Sequence, residues 1–402
     1  MSPARVIVAG LGRGRTKGAR VTVWGPLAYH RDVATLLERE NPVAFRSLRP
    51  TTPTAELDQV LLRQTYRVDP VGHAEVHAAV QRAADALGVV LPIEIYVDER
   101  GQGADAELVF VPDRAVLILT GGTLNLLDPD ELCAVAGHEL AHHVLWTADD
   151  GRYLAASRLL DAAESDARTP SEYLETARRF RLATELVADR GAMLACGSLT
   201  TTVSGLVKVV TGLAKVDSAA YLRQAAEVDY SVPSAGSTHP ETVLRAWALQ
   251  EWAERGAGAD AMVEASLGPQ LDLAVLDVLG QDRLVEVTRS LVWMLVADDA
   301  VRSEEALDLA QRFGVVVGGT PTIADMPTTL GAETRTYLAA VLLDFATADD
   351  QGGADDLGAV LALARRVGLG DELLKMVGDE LDLGDRAMSR VLASADAPRV
   401  VR

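Results

Sequence analysis

Two histidines four residues apart, His138 and His142, enclose Glu139 in the segment His-Glu-Leu-Ala-His. In an α-helix four residues turn the chain by about 400°, so both imidazoles project from nearly the same face, about 6 Å apart along the axis. They can therefore bind one Zn²⁺, and Glu139, about 100° round the helix, can take a proton from the water that the metal activates. The alternative is a helix with two hydrogen-bonded core histidines. Histidine is scarce, at seven in 402 residues, so this pattern seldom arises by chance.

A zinc site that keeps a position open for water needs a third protein ligand. Downstream, Glu185 and Asp189 lie four residues apart in the helical segment Glu-Leu-Val-Ala-Asp, and so share a face. Glu185 can bind the metal, and Asp189 can accept a hydrogen bond from the free ring nitrogen of a ligand histidine. Alone, the pair also fits an exposed acidic helix face, but the upstream histidines favour the ligand interpretation.

A further histidine, His239, precedes Pro240 in the segment Ser-Thr-His-Pro. A residue before proline adopts an extended or turn conformation, which suits a side chain that points into a cleft. There His239 can stabilise the oxyanion of a tetrahedral intermediate. The alternative is an ordinary histidine in a surface loop.

The helix that carries the two histidines is predicted to begin at Asp128, which can cap it. Pro129 suits the first helical position, and Glu131 stands where the partner of a capping box belongs. From this helix onward, nearly all of the chain is predicted to be helical.

The residues before that helix are predicted to form helices and then a small sheet. Residues 31–90 have a helical pattern, with one helix over 74–86 that ends at Gly88. The sheet is predicted from three strands, Ile93–Val97, Ala106–Val111 and Ala115–Leu119, with a turn at Pro112-Asp113.

Three motifs, in this order, resemble the family of the CAAX prenyl proteases and the heat-shock protease HtpX, which are zinc metallopeptidases of the gluzincin type. The motifs are HELAH, ELVAD and THP, the last followed by Arg245. The strand-strand-helix stretch that leads into HELAH is also similar, and the resemblance covers roughly residues 70–250. It implies zinc ligands His138, His142 and Glu185, a catalytic base Glu139, an orienting carboxylate Asp189, a transition-state stabiliser His239 and a supporting cation Arg245.

Two features depart from that family. Its familiar members are integral membrane proteins, whereas this chain has no run of eighteen apolar residues and no signal-peptide pattern, so a soluble, cytoplasmic protein is expected. The chain also has Asp105-Ala106 where members usually show Asn-Ala beside the cleft. That strand can still hold a substrate by edge pairing.

Composition narrows the remaining function classes. Hydrophobic residues at 49% and charged residues at 24% indicate a folded globular protein, and a net charge of -20 argues against nucleic-acid binding. The two cysteines, Cys133 and Cys196, cannot form a disulfide framework and are predicted to be small buried residues away from the metal. His143 should point off the metal face.

Both ends of the chain have patterns of their own. The first twenty residues contain basic but no acidic side chains, which indicates a flexible arm or a docking segment for an acidic partner or surface. Residues 291–314 and 341–368 each have the pattern of an apolar helix, an Asp-Asp break and a second helix that ends at glycine. This repeated pattern resembles the TerB-like helical fold. Those aspartates either cap helices or bind a divalent cation.

Together these observations predict a mainly α (α+β) protein. An N-terminal basic arm and helical segment occupy residues 1–70, a zincin-type metallopeptidase domain with a small β-sheet residues 71–255, and an all-helical TerB-like accessory domain residues 256–402. The predicted function is a zinc-dependent endopeptidase with one Zn²⁺ and a peptide or protein substrate. The accessory domain is predicted to contact a protein partner or to autoinhibit the cleft.

Two other functions are compatible with the same sequence. One is a binding or regulatory module that keeps the metallopeptidase fold with latent or lost activity. The other is a structural helical protein that binds no zinc. The presence of all the expected catalytic residue types favours the enzyme.

Overall fold

The computed structural model describes residues 24–48, 55–98, 101, 103–268, 271–315, 330–349, 353–381 and 383–397, with the side chains of residues 55 and 56 left aside. The basic N-terminal arm predicted over the first twenty residues lies outside these residues. The chain divides into two compact units, Met1–Gly268 and Pro269–Arg402. This division falls thirteen residues after the boundary predicted at 255.

The first unit contains helices and one sheet, in agreement with the mainly α (α+β) prediction. Its strands are β1 (Thr65–Arg67), β2 (Ile93–Asp98), β3 (Ala106–Val111) and β4 (Arg114–Thr120). Its α-helices are α1 (Ala28–Glu40), α2 (Pro42–Ser47), α3 (Ala55–Gln64), α4 (Ala74–Leu87), α5 (Gly121–Leu126), α6 (Pro129–Glu164), α7 (Ser171–Cys196), α8 (Leu199–Thr211), α9 (Ser218–Ala225), α10 (Thr242–Arg255) and α11 (Asp260–Ala265), with a 3-10 turn at Gly256–Ala259.

The sheet has the strand order β1-β2-β4-β3 within the described residues. β2 and β4 are parallel, with Ile95 opposite Leu117, and β3 is antiparallel to β4. The three predicted strands are present. The helical prediction for residues 31–90 is wrong at β1, which pairs antiparallel with β2. Three residues are too short to show a strand periodicity, so β1 depends on backbone pairing with β2 rather than on a local pattern.

The start of α6 is fixed by the predicted capping box. The Asp128 carboxylate accepts hydrogen bonds from the backbone N–H groups of Asp130 and Glu131, both at 2.9 Å. Glu131 in turn accepts the Asp128 N–H at 3.0 Å and the buried Lys208 Nζ of α8 at 2.7 Å. The cap therefore defines where the HELAH segment begins and also ties α6 to α8.

The regular helix of α6 is interrupted after the histidines. Ala148 leaves the helical conformation, and Asp149, Asp150 and Gly151 all have positive φ values of 47°, 61° and 76°. Left-handed backbone is unfavourable for most residues, although aspartate and glycine tolerate it better than others. The break separates the histidine-bearing part of α6 from its second part, which ends at Glu164.

Two glycines allow α6 and α7 to cross closely. A methyl group on Gly137 would lie 2.3 Å from the Cβ of Ala195, and one on Gly191 would lie 2.4 Å from the Cβ of Ala141. No real side chain fits at these distances, so the two backbones lie closer together than larger residues at these positions would allow. This crossing places the carboxylates of α7 beside the histidines of α6.

A second set of contacts to α7 comes from the N-terminal segment. The Trp24 indole donates a hydrogen bond to the Val187 carbonyl at 3.1 Å. His30 of α1 is fully buried, and its Nε2 lies 3.1 Å from Thr184 Oγ1. Burial lowers the pKa of His30 to about 3, so the ring is neutral. These contacts fix the α7 backbone on either side of Glu185.

The second unit is helical throughout its described residues, apart from turns. It contains α12 (Val278–Val296), α13 (Glu304–Arg312), α14 (Ala332–Ala346), α15 (Ala354–Arg366), α16 (Gly370–Glu380), α17 (Asp385–Ala395) and a 3-10 turn at Leu273–Val275. Leu291, Leu338 and Val360 belong to one apolar core that these helices share. Among the described residues of the whole chain, no helix is both long enough and apolar enough to cross a membrane.

Candidate metal centre

Three side chains from α6 and α7 bring their ligand atoms together. His138 Nε2 lies 3.3 Å from His142 Nε2 and 3.4 Å from Glu185 Oε2, and His142 Nε2 lies 3.6 Å from Glu185 Oε1. Zn²⁺ binds these atom types at about 2.0–2.2 Å, so two ligands of a regular tetrahedral site lie about 3.3–3.5 Å apart. The observed spacing is therefore that of three corners of a zinc tetrahedron.

The polar atoms of this cluster are also suited to hold a cation between them. Glu185 Oε2 is buried and has no hydrogen-bond partner among the described residues. A buried carboxylate oxygen without a partner is costly. The Nε2 atoms of His138 and His142 face each other at 3.3 Å, so each can offer its lone pair to one metal ion once no proton lies between them. The donor set and its spacing fit Zn²⁺.

Protonation of the two histidines differs because their surroundings differ. Burial lowers the pKa of His142 to about 4, so that ring is neutral and ready to bind a metal. Burial also lowers the pKa of His138, but the adjacent carboxylates of Asp189 and Glu185 outweigh it and raise the value to about 10. Burial favours the neutral form of Glu185, yet the proximity and charge of His138 lower its pKa, so Glu185 is ionised.

Asp189 and Arg245 hold His138 from behind. Asp189 Oδ1 lies 3.0 Å from His138 Nδ1, which leaves Nε2 directed at the centre. Arg245 donates to both carboxylate oxygens of Asp189, from Nε at 2.8 Å and from Nη2 at 2.6 Å. Burial alone would raise the pKa of Asp189, but the charge of Arg245 lowers it. The result is a buried Arg-Asp-His chain that fixes one face of the site.

Glu139 lies in the same cleft and is nearly fully buried. Burial raises the pKa of its carboxyl group to about 8, against an opposing effect from the His138 charge. A carboxyl group whose pKa lies near neutrality can both accept and return a proton under physiological conditions. Glu139 is not one of the three grouped ligands, and it lines the same cleft as His138 and Glu185.

His239 approaches the same centre from the loop before α10. Its Nε2 lies 3.6 Å from Glu185 Oε2, and its side chain is 60% exposed, whereas the Glu185 side chain is 10% exposed. Its Nδ1 lies 3.1 Å from Thr238 Oγ1. His239 therefore faces the open part of the cleft.

Most of these groups, but not His142, line a cleft of about 480 Å³. Asp105 and Ala106 line it, at the start of β3, the strand at the edge of the described sheet. The cleft is also lined by mainly apolar residues, namely Ala134, Val135, Ala192, Thr202, Leu206, Val209 and Val210. A peptide can therefore pair with β3 while one of its side chains contacts α8.

Residues predicted to lie away from the metal are found elsewhere in the core. His143 is buried and stacks on Phe110 of β3, with ring centroids 5.1 Å apart. Cys133 is buried and donates its S–H to the Ala195 carbonyl. Cys196 is partly buried, with its sulfur 3.2 Å from Thr202 Oγ1.

One contact at the site was not predicted from the sequence. Trp146 stacks against the ring of His142, with centroids 6.3 Å apart and planes inclined by 22°. The signal was present, since Trp146 follows His142 by one helical turn and so lies on the same face. The stack restricts the orientation of the His142 ring.

Zinc affinity is expected to rise with pH, since His138 must lose a proton before its Nε2 can bind a metal. Its pKa in the metal-free site is about 10, so below that pH one proton competes with each zinc ion. We expect the association constant to increase about tenfold per pH unit between about pH 6 and 9. Competition against a chromophoric chelator of known pH dependence measures this slope. An affinity that stays constant or falls over this range would contradict the assigned protonation.

Comparison with known proteins relates one segment of the chain to a family. Residues 70–164, which include the HELAH segment, match Peptidase family M48. A "Protease HtpX homolog" from Desulfatibacillum aliphaticivorans is 35% identical over 88 residues, which is 21% of this chain and 28% of that protein. No solved structure matches the chain significantly. The resemblance of this segment to the metallopeptidase family is thus confirmed, whereas the TerB-like resemblance of the C-terminal region stays a prediction.

Proposed function

We propose that this chain is a zinc-dependent endopeptidase with His138, His142 and Glu185 as the metal ligands. The observation that carries the proposal is the spacing of 3.3–3.6 Å between their ligand atoms, two of which, those of His138 and Glu185, belong to residues that line the same cleft as Glu139. Similarity of residues 70–164 to Peptidase family M48 supports the reaction class. The chain matches 28% of the length of the Desulfatibacillum aliphaticivorans protein.

The residues of the chain have separate roles in the proposed hydrolysis. When bound, zinc supplies a Lewis acid that polarises the scissile carbonyl and acidifies a water molecule. Glu139 accepts a proton from the attacking water and delivers it to the leaving amine. His239 donates a hydrogen bond to the oxygen on which negative charge develops. Asp189, held by Arg245, keeps the His138 ring oriented.

Peptides or proteins are the proposed substrate class, and the edge of β3 is their proposed binding strand. We also propose a cytoplasmic location, and a role for the C-terminal helical unit in binding a partner or in autoinhibition. The last role is tested by removal of residues 269–402. An unchanged peptidase rate after this deletion would exclude autoinhibition.

Cleavage of a mixed peptide library or casein, followed by mass spectrometry, tests the activity. We expect new peptide termini with the zinc-loaded protein, none after removal of zinc by a chelator, and full recovery when zinc is returned. Cleavage that persists without zinc would contradict the proposed chemistry. A protein that binds zinc and cleaves no substrate would instead favour the binding module with lost activity.

A further inference from the structure

The position of His239 depends on the loop that carries it. Its side chain is 60% exposed, so close packing does not fix the ring. The ring reaches the cleft only if the backbone from Ser234 to Pro240 follows one path. Within the described residues, a charged side chain of α7 donates two hydrogen bonds to the carbonyl oxygens of that backbone.

The side chain in question is Arg178, two helical turns before Glu185 on α7. Its Nη1 donates to the backbone carbonyls of Ser234 at 3.2 Å and Gly236 at 2.9 Å. Its Nη2 donates to the Leu267 carbonyl at 2.9 Å. One planar guanidinium group therefore connects α7 with two separate loop segments.

Arg178 is itself held rigidly. Glu175 accepts hydrogen bonds from Arg178 Nε and Nη2, both at 2.7 Å, and from the neighbouring Arg179 at 2.6 Å. A bidentate arginine–carboxylate pair fixes both the position and the plane of the guanidinium group. The loop carbonyls thus meet donors whose directions are already set by α7.

Two further features close the loop from the other side. Glu241 accepts the Ser234 hydroxyl at 2.7 Å and the Ala235 N–H at 2.9 Å. Gly236 packs directly against the backbone of His239, since a methyl group on Gly236 would lie 2.0 Å from the His239 carbonyl oxygen. The chain between these points has little freedom to move.

We propose that Arg178 is a positioning residue, which holds the Ser234–Gly236 backbone so that His239 meets the developing oxyanion. This inference rests on the proposed peptidase function. α7 then supplies the metal ligand Glu185 and also fixes the distance from that ligand to His239. A displacement of about 1 Å in such a group can cost about 10²-fold in rate.

Kinetics of Arg178→Ala and Arg178→Lys in the full-length zinc-loaded protein provide the first test. We expect Arg178→Ala to lower kcat by about 10–100-fold, with KM changed less than about twofold, because ground-state binding does not use His239. Arg178→Lys should retain an intermediate rate, since an ammonium group reaches fewer of the carbonyls. Arg168→Ala, which removes an arginine whose side chain is 90% exposed, serves as the control.

A double-mutant cycle with His239→Ala shows whether Arg178 acts through His239. In the His239→Ala background, Arg178→Ala should cause almost no further loss of kcat. Equal losses in both backgrounds would overturn the proposal, as would an unchanged kcat in Arg178→Ala. If Arg178→Ala does not fold, Arg178→Lys is judged by the same cycle.

Amide hydrogen exchange follows the loop without reference to activity. We expect faster exchange at Ala235 and Gly236 in Arg178→Ala, and rates like those of the wild type in Arg168→Ala. Unchanged exchange would overturn the positioning role alone, with the peptidase intact. A wild-type protein as inactive as Glu139→Gln would overturn the peptidase function, and the positioning role with it.

Discussion

Replacement of Glu139 by glutamine is expected to lower kcat by about 10³-fold or more while zinc remains bound. Glutamine has nearly the shape of glutamate but cannot accept a proton, and a positioned general base contributes about 10²–10⁴-fold to such reactions. Glu139 is buried beside the ligands without being one of them, so its substitution leaves the metal-binding atoms in place. Peptide cleavage and zinc content, measured on one preparation, check both statements.

Glu75→Gln is the matched control for this experiment, because Glu75 is exposed in the first turn of α4, away from the cleft. It should retain the wild-type rate. Equal rates for Glu139→Gln and wild type would remove Glu139 from the reaction. Loss of zinc from Glu139→Gln would instead show that the substitution disturbs the ligands.

Replacement of Arg245 by alanine is expected to destabilise the metal-free protein by about 3–5 kcal/mol. Arg245 is buried and donates two hydrogen bonds to the buried Asp189, and its Nη2 lies 3.7 Å from Glu185 Oε2. Without Arg245, the charge of His138 alone faces the two buried carboxylates, so one carboxylate is left without a cation, which costs far more than the loss of a surface ion pair. The loss in the free energy of unfolding is measured from the denaturant-induced unfolding transition of the first unit.

The double variant Arg245→Ala/Asp189→Asn separates charge from packing in this test. The neutral amide removes the unpaired charge, so the double variant should be more stable than Arg245→Ala alone. A loss below about 1 kcal/mol in Arg245→Ala would contradict a buried, compensating pair.

The local parts of the site could be predicted because their causes are local. The capping box at Asp128 and the spacing of His138 and His142 depend only on helix geometry. The proximity of Glu185 is different, since it depends on how closely α6 and α7 cross at Gly137 and Gly191. No periodicity marks that crossing; Glu185 is predicted instead from the need for a third ligand, and the family resemblance implies the same residue.

Other features of the fold have weak or missing local patterns. β1 is three residues long and depends on its pairing with β2. The break in α6 has a partial signal in Asp149-Asp150-Gly151, three residues that tolerate left-handed backbone, yet the surrounding apolar pattern continues through it. The contacts of Arg178 depend on tertiary structure, since its loop partners lie more than fifty residues away in sequence.

Zinc content of the wild type and of Glu185→Ala, after dialysis against a weak chelator, tests the central assignment most directly. We predict about one zinc ion per chain in the wild type and below roughly a tenth of that in the variant, because two imidazoles alone make a weak site. Glu75→Ala should retain the wild-type content. Wild-type protein that binds no zinc after incubation with excess zinc would contradict the three-ligand site. A Glu185→Ala variant that retains as much zinc as the wild type would contradict it as well.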